Sequence, residues 1–467
     1  MTQAASTASL KVIQICSVAP LQEPTISTLV PTSLPLTFFD LLWIRFPPVQ
    51  CLFFYHSPHQ TSSFLHSLLP SLKHSFSLTL QHFLPLSGTL TWPSHSPKPI
   101  INYLPGDTVS FIVAESDQNF DHLCSHLCEA SQRHHLAPQL ANSHDKASLL
   151  AVQVTVFPNS GFCIGVTTHH AIFDGKSASM FVKAWAYIFS NLQNPTTPTP
   201  SLTPTPSLPQ HLTPIFDRSL IRDPSGFAEL YADQWMNHNG SNNRSLKVVQ
   251  ESLTATPSDG LKGLFEFTPS QIQKLKQYGN SKAKVNVHLS TFSVTCAYVL
   301  ACLVKANQVK EENVLYIFPV DCRTRLDPPI PATYFGNCVK VKYVVALTKE
   351  LVGKDGFIYA LERIVEALKR VKEEEVLNGA EKWVSLIHDP GEGTITATAG
   401  SPLYEFYSID FGWGRPKKVD LVSTDKARTF SISESRDMSG GIEIGLMLPK
   451  SEMEDFTSLF LQGFDSL

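Results

Sequence analysis

From Asn194 to Pro214 the chain reads NPTTPTPSLTPTPSLPQHLTP. A run so rich in Pro, Thr and Ser cannot enter a hydrophobic core, and it predicts an exposed, extended linker. It divides the 467 residues into two halves, each long enough for its own domain. The expected domains are 1–193 and 215–467, with 194–214 between them.

Just before the linker lies TTHHAIFDGKS, Thr167 to Ser177. Phe162, Ile164 and Val166 alternate with Cys163, Gly165 and Thr167, which predicts a strand ending at His169 and His170. Leu149 to Phe157 alternates likewise, and Pro158-Asn159-Ser160-Gly161 is a turn signal, so the two strands should form a hairpin. From Lys176 onward, Phe181, Ala184, Trp185 and Ile188 fall on one helical stripe. The histidines therefore sit where a strand gives way to a helix, a common place for binding and catalytic groups.

His170-Ala171-Ile172-Phe173-Asp174-Gly175 admits two readings. One histidine is a general base, with Asp174 holding an arginine or the turn and Gly175 supplying a backbone shape closed to other residues. Alternatively, a chain with 17 histidines produces the spacing by chance. The pattern does not suit a metal, because it is not His-Glu-x-x-His and no third ligand clusters with it.

Composition narrows the function classes. Lys plus Arg is 37 and Asp plus Glu is 41, a net charge of −4, which argues against nucleic-acid binding. Nine cysteines without paired spacing suit a reducing compartment. The first twenty residues lack a signal-peptide pattern. The most apolar stretch, Leu34 to Tyr55, is interrupted by Asp40, Arg45 and Pro47-Pro48, so it is not a membrane span. The expectation is a cytoplasmic protein.

Elsewhere, residues 1 to about 30 read as a tail leading into a first strand. Thr61 to Leu84 has helical spacing, with Pro70 separating two helices. Beyond the linker, Thr291 to Lys305 reads as a helix with Ser290 as N-cap. Val314 to Val320 and the Val339, Val341, Tyr343 stretch read as strands. Phe357, Leu361, Ile364, Leu368 and Val371 mark an amphipathic helix.

Far downstream stands Asp410-Phe411-Gly412-Trp413-Gly414. With His-x-x-x-Asp-Gly in the first half, this resembles the BAHD family of plant acyl-CoA-dependent acyltransferases, in that family's order and at a similar separation. LPLTFFDLLWIRFPPVQCLFFY, FLPLSGTL, HLSTF, DCRTRLDPPIPATYFGNC and SGGIEIG extend the resemblance over nearly the whole chain. It implies an α/β fold of the chloramphenicol acetyltransferase type, with two mixed-sheet domains, a channel between them, and about 415–439 crossing to the first domain.

The same resemblance implies acyl transfer from a coenzyme A thioester to a hydroxyl, without a permanent cofactor or a covalent acyl-enzyme. His170 fits the base, and His169 is a neighbour shaping the turn. Asp174 is structural, paired with Arg323 or Arg325. Asp410 to Gly414 form mainly a conformational loop, with the Trp413 indole one candidate oxyanion donor. Tyr334 and Asn337 line or brace the channel. Ser290, Thr291, Ser439 and Gly440 are candidates for the coenzyme phosphates.

LPLTFFDLLWIRFPPVQCLFFY and YFGNC resemble the clade acting on flavonoid and other phenolic glucosides. The implied donor is malonyl-CoA, the acceptor hydroxyl is glucose O6, and the protein is a monomer. An aromatic donor such as coumaroyl-CoA is the alternative within that class; a thioester hydrolase or a silent binding relative is the alternative outside it. A malonyl carboxylate needs a cation, for which Arg45 and Lys176 are the candidates.

Overall fold

The computed structural model describes residues 10–21, 32–57, 60–193, 206–248, 259–284, 288–389, 391–425 and 428–464. Among these, two large sheets carry the architecture. The six-stranded sheet runs Leu10–Val18, Val109–Ser116, Leu150–Phe157, Gly161–Thr168, Val49–His56 and Lys418–Leu421. The seven-stranded sheet runs Val339–Leu347, Asn313–Asp321, Thr394–Ala399, Thr429–Glu434, Ile442–Pro449, Gly260–Phe267 and Leu127–Glu129. A four-stranded sheet (Thr32–Pro35, Ile100–Tyr103, Thr89–Thr91, Lys146–Ser148) flanks them.

The histidine strand forms the expected hairpin. Gly161 pairs with Phe157 and Thr168 with Leu150, and Asn159 takes the positive φ of 62° that the turn requires. All eight of its residues are buried, so both faces are covered, not only the apolar one. The carbonyl of Leu136 crosses Gly165 so closely that a Cβ there would stand 2.2 Å away. The helix that follows, Gly175–Gln193, buries Phe181, Ala184, Trp185 and Ile188 as their spacing requires.

Beyond the linker, Ser290 accepts from the Ser293 amide and opens the helix Thr291–Ala306. Asn313–Asp321, Val339–Leu347 and the helix Gly356–Glu373 also form where the pattern placed them.

Three local readings differ. A strand already occupies Leu10–Val18, inside the expected tail, and residues 22–31 lie outside the described set. Pro70 does not separate two helices: it stands in the first turn of Leu69–His82, preceded directly by a π-helical turn at Phe64–Leu68. Proline is tolerated there because first-turn amides need no intrahelical partner. Third, residues 194–205 of the linker run lie outside the described residues, while 206–214 is not wholly exposed. Gln210–Leu212 makes a 3₁₀ turn and buries Leu212 in the first core.

The segment after it also packs on the first body, with Phe227, Tyr231, Trp235 and Leu246 in the same core. Of the segment expected to cross over, Lys418–Leu421 pairs with Val49–His56, whereas Thr429–Glu434 stays in the seven-stranded sheet. In return, Leu127–Glu129 joins the sheet of the other body. Where the two exchanges meet, Arg133 pairs with Asp420 and Asp425, and Lys262 of the second sheet reaches Asp425 at 2.9 Å and Asp420 at 3.3 Å. These buried charges pair with one another, as burial demands.

Candidate active site

The turn His169–Asp174 lies between the two bodies. Asp174 is buried, and Arg323 grips it with an ion pair, Nη1 to Oδ2 at 2.8 Å, and a hydrogen bond, Nη2 to Oδ1 at 3.0 Å. The Ser177 amide donates to Oδ1 at 3.1 Å, which caps the helix, and the Cys338 amide donates to Oδ2 at 3.1 Å. Burial alone would raise this carboxyl, but Arg323 and the two amides outweigh it and hold it below the ordinary carboxylate value. Arg325, the other arginine of that motif, makes no ion pair among the described residues. The Asp174 side chain is fully occupied in joining the turn to Arg323–Cys338 of the second half.

Gly175 serves a purpose other than the one expected. No positive φ occurs there. Instead, a Cβ would stand 2.6 Å from the ring of Tyr404, so close approach is what selects glycine.

His169 is buried. Its Nδ1 accepts from the Ala171 amide at 3.2 Å, and burial, with His170 adding to it, lowers its pKa to about 4. It is neutral and committed to the turn. His170 keeps part of its surface open. Burial lowers its pKa from 6.5, while its own backbone, Asp174 and Asn337 pull weakly the other way. The ring lies flat on Trp43, centroids 4.3 Å apart at 14°, with Phe46 edge-on at 5.7 Å.

Asp40, Arg218 and Ser177 complete the surroundings, and none of them was singled out from the sequence. Asp40 closes a capping box with Thr37 and accepts from both the amide and the Nδ2 of Asn337 at 3.0 Å. Asn337 Nδ2 also donates to the His170 carbonyl at 3.0 Å. Asn337 thus braces the histidine backbone. Tyr334 is fully buried, its ring facing the guanidinium of Arg218 at 5.2 Å and that of Arg323 at 5.9 Å. It packs inside the wall and does not line a channel. A signal for Asp40 was available: a carboxylate inside an apolar run must find buried partners.

The Asp410–Gly414 loop lies elsewhere. Phe411 is buried against Tyr55, Trp185 and Phe189, and Trp413 packs on Phe162 and Phe189. Phe162 stands at the start of the strand that ends at Thr168, two residues before His170, so the six steps from Phe162 to Thr168 alone span about 20 Å at strand rise. The Trp413 indole is therefore too remote to meet an oxyanion beside His170. Gly412 and Gly414 have φ of 98° and 87°, and both donate their amides to Asp410 Oδ1, at 2.6 and 2.9 Å. The carboxylate is spent on closing its own loop.

Neither cation candidate for the malonyl tail is free as expected. Arg45 is buried, and its guanidinium donates to the carbonyls of Ser245 at 2.7 Å, Trp235 at 2.9 Å and Asn243 at 2.7 Å. Burial lowers its pKa to about 10. It clamps the 235–245 segment onto the first body. Lys176 is part-exposed and reaches Asp321 at 3.4 Å. Ser290 and Thr291 open their helix, with Lys276 donating to Thr291 Oγ1 at 3.1 Å. Ser439 and Gly440 are exposed in the turn between Thr429–Glu434 and Ile442–Pro449. No group of three metal-capable side chains occurs among the described residues.

Fold and site define a class: a two-sheet α/β enzyme with a part-open imidazole at the seam of its halves. The model of the Transferase family matches residues 23–462. The chain is 39% identical to phenolic glucoside malonyltransferase 2 of Arabidopsis thaliana, over 98% of this chain and 100% of that one. It is 38% identical to malonyl-CoA:anthocyanidin 5-O-glucoside-6''-O-malonyltransferase of the same plant, over 98% and 99%. Among solved structures it is similar to vinorine synthase, with a TM-score of 0.68 at 19% identity over 97% and 98% of the two chains. The chain belongs to this transferase family, the BAHD acyltransferases, and is an acyl-CoA-dependent acyltransferase.

Proposed function

We propose that this enzyme transfers a malonyl group from malonyl-CoA to a sugar hydroxyl, glucose O6, of a phenolic or flavonoid glucoside. The malonyltransferase activities of the relatives at 38–39% identity support this reading. The observation that carries the chemistry is His170, a part-open imidazole whose lowered pKa keeps it neutral at working pH. It removes the proton as the acceptor hydroxyl attacks the thioester carbonyl, and coenzyme A leaves as the thiol. The thioester is already activated, so positioning does the rest.

Ser290 and Thr291 at their helix start, and the Ser439-Gly440 turn, are the proposed contacts for the coenzyme phosphates. With Arg45 engaged elsewhere and Arg323 held by Asp174, part-exposed Lys176 is the remaining candidate cation for the malonyl carboxylate. Among the described residues no helix is long and apolar enough to cross a membrane. A monomer in the cytoplasm, divided at the 194–214 run, completes the proposal.

The test is release of free thiol from malonyl-CoA with and without a phenolic glucoside, with coumaroyl-CoA as a parallel donor. Thiol only with acceptor, and with malonyl-CoA preferred, is the expected result. Thiol without acceptor makes the enzyme a hydrolase. Preference for coumaroyl-CoA replaces the donor, and release with neither donor overturns the reading.

A further inference from the structure

Histidine bases are commonly oriented by a hydrogen bond at the second ring nitrogen. His170 has none. Its Nδ1 is buried beside its own carbonyl and the Asn337 side chain, whose pull on the ring does not offset burial. Asp174, the carboxylate in the motif, is occupied by Arg323 and two amides. No carboxylate is left to hold the ring.

We propose that Trp43 is the positioning residue of His170, its indole face taking the part that a carboxylate plays in a catalytic triad. The inference rests on His170 being the base. The two rings stack at 4.3 Å and 14°, and Phe46 stands edge-on to both, at 5.1 Å from Trp43 and 5.7 Å from His170. A flat wall on one side and a ring edge on another stop the imidazole turning, yet leave its lone pairs free of any donor.

The wall is itself fixed. The Trp43 amide donates to the Asp40 carbonyl at 3.1 Å, and the Phe46 amide to the Trp43 carbonyl at 3.1 Å, so both rings ride on one turn. Asp40 anchors that turn from within, through Asn337, which also holds the His170 carbonyl. Arg45 anchors it from the other side through three carbonyls. The same turn therefore sets the histidine's backbone through Asn337 and its ring through Trp43. This gives a reason for a buried arginine with no carboxylate partner among the described residues: it keeps the aromatic wall in register with the His169–Asp174 turn.

The test compares Trp43→Leu with Trp43→Phe in the full-length chain. Misplacing a reacting group by about 1 Å costs on the order of 100-fold, so Trp43→Leu should lose about 10–100-fold in kcat with little change in KM for the acyl-CoA. Its acid limb of kcat/KM should move up toward 6.5 as water reaches the ring. Trp43→Phe keeps a flat face and should restore most of that turnover. Unchanged kcat in Trp43→Leu overturns the proposal. A loss in Trp43→Phe equal to that in Trp43→Leu also overturns it, because the indole N–H and not the face would then matter.

If Trp43→Leu does not fold, the ring protons of His170 give a second reading by NMR. They should sit upfield in the wild type through the indole ring current, and ordinary shifts would overturn the stack. His170→Ala in the same series separates the two claims. Full turnover there removes the base and this proposal together, whereas lost turnover there with intact Trp43→Leu removes this proposal alone.

Discussion

The two sequence motifs do different kinds of work. His170 to Asp174 stands at the joint of the two bodies, and its buried carboxylate bonds to residues more than a hundred positions away. Asp410 to Gly414 is an aromatic plug at the far end of the same strand, and its carboxylate bonds only within the loop. One motif leaves a ring part-open and buries its charge; the other buries Phe411, half-buries Trp413 and exposes its charge. Of the two, only the first puts a titratable ring at the seam.

The sharpest way to break this contrast is His170→Ala. Loss of a general base costs about 10²–10⁴-fold in rate, or roughly 3–5 kcal/mol of barrier, and the melting temperature should stay near wild type. His169→Ala should lose less turnover and more stability, since its ring closes the turn. If the two variants exchange behaviour in kcat and Tm, the base is the other histidine.

Asp174→Ala comes next. Removing one partner of a buried ion pair costs about 3–5 kcal/mol of stability, and Asp174→Asn, which keeps some hydrogen bonds, should cost less. A variant melting like wild type but inactive would make Asp174 a direct participant. In the other motif, Phe411→Ala should cost about 3–5 kcal/mol through its cavity while kcat per folded molecule is unchanged. A fall in kcat without a fall in Tm would bring that loop into the chemistry. The smallest effect belongs to Asp410→Ala: a slight drop in Tm and an unchanged kcat.

Local structure was legible because local residues specify it. The hairpin into His170, the helix from Gly175 and the Ser290 cap follow from alternation, turn chemistry and capping within a few residues. The Asp174–Arg323 pair was legible only by resemblance. The link from Asp40 through Asn337 to His170 was not legible, although Asn337 and His170 were each named, since it joins positions 40, 337 and 170 through a fold that no local pattern encodes. Arg45 misled for the same reason. A charge in an apolar run does call for partners, but the sequence could not say that backbone carbonyls near residue 240 would supply them. Gly175 misled differently, because close approach of Tyr404 and a positive φ select the same residue type.

The central claim is that His170 acts as a neutral base whose pKa burial has lowered. The direct measurement is the pH dependence of kcat/KM for wild type and for the residual activity of His170→Ala. A base must be deprotonated to act, so activity is full above its pKa and lost as the pH falls through it. The account predicts an acid limb below 6.5 in the wild type that is missing from His170→Ala. An acid limb at or above 6.5, or the same limb surviving in His170→Ala, would contradict it.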